Sequence, residues 1–131
     1  MSTTGVAFEV VSKLSFGDAV ARAREALARE GFGVLAEIDV QATLKTKLGV
    51  ERDPYVILGA CHPPSAHQAL AAAPEVGVLL PCNVTVSVEH GRTVVRAMNP
   101  APVMGVVGKP ELAPIGEHVG AALRRVADAC A

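Results

Sequence analysis

The chain has 131 residues, 50% of them hydrophobic and 19% charged, with a formal net charge of −1. That length fits one domain, residues 1–131, with a core that needs no disulfide or metal staples, and the composition excludes a disordered chain. A charge so near zero offers no field to nucleic acid or anionic lipid, and Phe8, Phe16, Phe32 and Tyr55 are too few aromatics for a base-stacking platform.

Val6 to Val11 alternates with period two and reads as a strand, with Val6, Phe8 and Val10 on one face. Ser15 then caps a helix, with Asp18 in the capping-box position. Phe16, Ala19, Val20, Ala23 and Leu27 recur at helical spacing, and Gly31 closes the helix. Arg22, Arg24 and Arg29 form its solvated face. Val34 to Gln41 alternates again, setting Val34, Ala36, Ile38 and Val40 against Leu35, Glu37, Asp39 and Gln41. Ala42 to Leu48 fits a short helical turn stopped by Gly49, and Asp53-Pro54 marks a turn.

Tyr55 to Ala60 is apolar without alternation, as in a strand covered on both faces. Pro63-Pro64 breaks it. Ser65 and Gln68 then fit a second capping box, opening a helix that ends before Pro74. Val76 to Leu80 reads as a further apolar strand. Val84, Val86 and Val88 alternate up to a His90-Gly91 hairpin turn, and Thr93 to Met98 returns antiparallel. Asn99 to Pro110, rich in Pro and Gly, reads as a loop. Leu112, Ile115, Val119, Leu123, Val126 and Cys130 form one stripe of a final helix, with Pro114 in its first turn. The order β-α-β-(short α)-β-α-β-β-α predicts an α+β protein: one antiparallel or mixed sheet with helices packed on one side.

Candidate chemistry gathers around two apolar runs, YVILGACHPP (Tyr55 to Pro64) and VGVLLPCNV (Val76 to Val84). Each sets a cysteine, Cys61 or Cys82, beside a polar residue, His62 or Asn83. Neighbouring strands would bring both thiols to one sheet edge. His62 or His67 could then complete a soft ligand set suited to zinc or copper, although no CxxC spacing occurs. Both cysteines equally suit small buried hydrophobes. His62 is a poor base for Cys61 while the strand continues, because adjacent strand residues point to opposite faces. Glu37 and Asp39 share a strand face and could serve acid–base work or simply be solvated. Lys45 and Lys47 could hold an anion or form the wet side of a turn. No phosphate-binding glycine motif is present, no cofactor is expected, and no catalytic residue is assigned.

The runs IDVQATLKTKLG (Ile38 to Gly49), YVILGACHPPSAHQAL (Tyr55 to Leu70) and VGVLLPCNVTV (Val76 to Val86) resemble the domain of unknown function 302 family. The resemblance covers nearly the whole chain. It implies a compact α+β fold of the TATA-binding-protein-like class and homodimers; it implies no activity, and the fold name does not imply DNA binding. The family more usually has Asn after the first cysteine, so a role for His62 would be particular to this chain.

The N-terminus MSTTGVAFEVV lacks the basic and apolar regions of a signal peptide, and no apolar run reaches the roughly 20 residues of a bilayer span. A cytoplasmic protein without membrane partner is expected, its three cysteines free. Strands apolar on both faces predict a homodimer. Two functional readings follow: a dimeric module that binds a small ligand or protein partner, and a small thiol, redox or metal-binding protein using Cys61 and Cys82.

Overall fold

The computed structural model describes residues 1–131. Six strands form one antiparallel sheet in the order β1-β2-β6-β5-β4-β3. They are β1 (Ser2–Thr3), β2 (Ala7–Ser12), β3 (Gly33–Asp39), β4 (Tyr55–Cys61), β5 (Cys82–Glu89) and β6 (Arg92–Met98). The helices are α1 (Phe16–Arg29), α2 (Val40–Leu48), α3 (Pro63–Ala72), α4 (Pro100–Gly105) and α5 (Leu112–Ala129), with a 3-10 segment at Pro74–Leu79. The α+β class with helices packed on one side is as expected.

Strand alternation builds the core. Phe8, Ala97, Val84 and Leu58 lie in one cross-strand row and Val10, Val95, Val86 and Val56 in the next. All eight are buried against Ala19, Ala23 and Leu27 of α1 and Val119, Leu123 and Val126 of α5. The intervening rows face the other way, as in Glu9–Arg96–Thr85–Ile57–Ile38. There Arg96 donates to Glu9 and to both oxygens of Glu89, while Ser87 Oγ donates to Glu89 at 2.6 Å.

Ser15 caps α1 as expected, accepting from the Asp18 amide at 3.2 Å. The His90-Gly91 turn holds both residues at positive φ, the geometry of a tight hairpin. Several local expectations are corrected. A bulge in β3 leaves Leu35 without a pairing partner, so Val34 sits on the helix side while Ala36 and Ile38 face away. Alternation alone had put the three together. The strand stops at Asp39, whose carboxylate accepts from the Ala42 amide at 2.9 Å and starts α2 two residues earlier than expected. Val76 to Leu80 is no strand. Pro74 starts a 3-10 segment that runs through Gly77 to Leu79, and a short apolar run cannot by itself distinguish strand from buried helix. Asn99 to Pro110 contains α4, whose Pro100 and Pro102 lie in the first turn, where proline costs no hydrogen bond. His62, not Ser65, occupies the N-cap of α3.

Candidate functional site

Most of the buried hydrophobic residues fall into two clusters. The main one lies between sheet, α1 and α5; a smaller one joins Ala69 and Ala73, Val76, Met104 and Leu112. Leu80 and Ile115 pack against both, and between the clusters lies a chamber of about 270 Å³. Its walls come from the sheet end (Leu35, Cys61, Cys82), from α3 (Ser65, Ala66, Ala69), from Leu80-Pro81, and from Met104, Ile115 and Val119. His62 completes it. Nine of these twelve residues are hydrophobic, so the space suits an apolar occupant better than an ion. The chamber exists because the face of α3 turned toward it carries only Ser and Ala, which cannot fill the gap between the clusters.

The two cysteines meet here. Cys82, paired with Ala60 across β4 and β5, and Cys61, the last residue of β4, both line the chamber at the sheet end. Burial, and secondarily the neighbouring Cys61, push the Cys82 thiol up to about 11, so it stays protonated and poorly nucleophilic at neutral pH. Cys61 is half-buried. His62 also reaches the chamber, because the strand ends at Cys61 and the backbone turns into α3 before alternation can carry the imidazole away.

The imidazole is tightly held. Its Nδ1 lies 2.7 Å from Ser65 Oγ, and its ring sits 5.3 Å from Phe32 and 5.9 Å from His118, centroid to centroid. Gly31 backs it: a Cβ there would lie 3.3 Å from His62 Cδ2, and φ is +82°. Both the backbone and the packing therefore require glycine at the residue read as the end of α1. Beyond His62 lies a second, more polar cleft of about 170 Å³, lined by Arg29, Glu30, Phe32, His62, His118, Val119, Ala122 and Arg125.

The remaining candidates do not join the chamber. Asn83 is exposed and pairs with Gly59 on the other side of the sheet. Glu37 faces the helices, as a partner of Arg24 at 2.6 Å, and Asp39 is a helix cap. Lys45 pairs with Glu51 at 3.4 Å and Lys47 is exposed. Both lysines lie in the last turn of α2, where the helix dipole repels rather than attracts anions. His67 is exposed on α3, away from the thiols. No three His, Cys, Asp or Glu side chains gather closely enough to hold a metal ion. Ser65 and His118 were not picked out as site residues from the sequence. The i, i+3 spacing of His62 and Ser65 at a helix start was a usable signal; His118 had none.

The chain is thus a one-sheet α+β protein with an apolar pocket between its strand ends and α3. The profile of DUF302, a domain of unknown function, matches residues 8–130, and the chain belongs to that family. It is similar to a crystal structure of an uncharacterized conserved DUF302 protein from Bacillus stearothermophilus. Identity is 31%, the TM-score is 0.90, and the match covers 95% of this chain and 98% of that one. No curated protein matches. No helix is long and apolar enough to cross a membrane.

Proposed function

We propose that the protein is a single-domain, cytoplasmic binding module that takes a small, largely apolar ligand into the chamber beside α3. The observation that carries this reading is the set of hydrophobic walls lining a half-open space of about 270 Å³, edged by a fixed imidazole. Apolar, concave surface of this kind is the usual setting for a small ligand. Titrating hexanol should move the amide resonances of Ala66, Ala69 and Val119, and Ala66→Phe, which fills the chamber from α3, should abolish the response. Saturating hexanol that leaves these amides unmoved would exclude the reading.

The thiol alternative draws on the shared exposure of Cys61 and Cys82 to the chamber, but the raised Cys82 pKa argues against a thiolate nucleophile there. The absence of a disulfide among three cysteines suits a reducing compartment.

The module acts as a homodimer through the sheet face opposite α1 and α5. Thr85 Oγ1 is buried on that face without a hydrogen-bond partner, and Val11 and Ile38 of the same face are exposed. A second copy would cover the apolar residues. Light scattering should give twice 13.5 kDa at micromolar concentration; a mass near 13.5 kDa would refute the dimer.

A further inference from the structure

The chamber and the polar cleft share His62 and Val119. The two hollows adjoin at these residues, and their chemistries differ. The chamber is walled by Leu, Ile, Val, Met and Ala, with the thiols of Cys61 and Cys82. The cleft carries two guanidiniums, two imidazoles and one carboxylate.

That carboxylate is spoken for. Glu30 is gripped by Arg125 through Nε at 3.0 Å and Nη2 at 2.7 Å. The pair neutralises itself and holds Arg125 against the cleft wall. Arg29 is left over: its one acidic contact is the exposed Glu25, at 4.0 Å. His62 spends Nδ1 on Ser65, and neither its Nε2 nor His118 makes a hydrogen bond within the chain. The cleft therefore has an uncompensated positive charge and free imidazole nitrogens, at the mouth of an apolar space. An anion meets donors there; a cation meets none but an occupied carboxylate.

We infer that the ligand is a small amphiphilic carboxylate, its hydrocarbon part in the chamber and its carboxylate beyond His62, held by Arg29 and His118. The inference rests on the chamber reading above and adds the head group. A single carboxylate suits the cleft, since one mobile guanidinium and neighbouring imidazoles can satisfy two oxygens. The volume of the chamber restricts the body to a short aliphatic chain or one ring.

The test compares hexanoate with hexanol at neutral pH by amide-shift titration, in the wild type and in an Arg29→Gln/His118→Gln double variant. Both substituted residues lie outside the chamber lining. Wild type should bind hexanoate about tenfold more tightly than hexanol, with shifts on both sides of His62. The double variant should bring that ratio to about one while keeping its affinity for hexanol, which also shows that it is folded. Equal affinities for the two compounds in the wild type would overturn the carboxylate inference and leave the chamber standing. An advantage for hexanoate that survives the double variant would overturn the assignment of the head group to Arg29 and His118. Failure of both compounds to bind would remove chamber and inference together.

Discussion

Leu58→Ala should destabilise the protein by about 3 kcal/mol, read as a lower urea midpoint at unchanged slope. Leu58 is fully buried in β4, in the row that joins Ala97, Val84 and Phe8 across the sheet. Strands on either side prevent the backbone from collapsing into the space left, so the lost transfer energy and the cavity both count. A loss below about 1 kcal/mol would mean that this row is not the centre of the core. The substitution also separates stability from binding, because Leu58 does not line the chamber.

Arg96→Gln should give the second large effect, and one whose size depends on pH. Arg96 holds Glu9 and Glu89 from adjacent strands, and hydrogen bonds from Arg96 and then Ser87 keep the Glu89 carboxyl down at about 2, against an ordinary 4.5. A carboxyl depressed in the folded state stabilises the protein fully above its unfolded pKa, and that contribution is lost as pH falls toward the folded value. Wild-type stability should therefore decline between pH 4.5 and about 2. About a third of both side chains is exposed, so water and salt screen the pair, and a loss of about 1–2 kcal/mol is expected for the variant at neutral pH. In the variant two carboxylates are left without their cation, and acid should relieve rather than aggravate the defect. Parallel pH–stability curves for the two proteins would contradict this account of the network.

The parts of the fold that obey a simple period were legible in the residues. Alternation at Val84, Val86 and Val88 and the helical stripe of α5 each reflect burial of one face, and the Ser15 cap and His90-Gly91 turn use residues suited to those backbone shapes. What escaped detection was non-periodic. Val76 to Leu80 has the composition of a strand, but its course is set by the flanking prolines and Gly77. Cys61, His62 and Cys82 could be singled out because they interrupt apolar runs. Their enclosure could not, since Leu35, Met104 and Ile115 come from distant segments, and the small residues of α3 matter for the volume they leave empty. His118 lies 56 positions beyond His62, and only the packing of α5 brings the two rings to 5.9 Å.

The bulge at Leu35 ties the candidate site to the arithmetic of the fold. Were Leu35 instead paired in turn, alternation would transfer every position from Ala36 to Asp39 to the opposite face. Ile38 would turn toward the helices, Glu37 would lose Arg24, and Asp39 would lose its cap on α2. The same residue is a wall of the chamber. By stepping out of the ladder Leu35 both sets the faces of the residues after it and walls the chamber, so its deletion would open that wall while leaving Ala36 to Asp39 on their present faces.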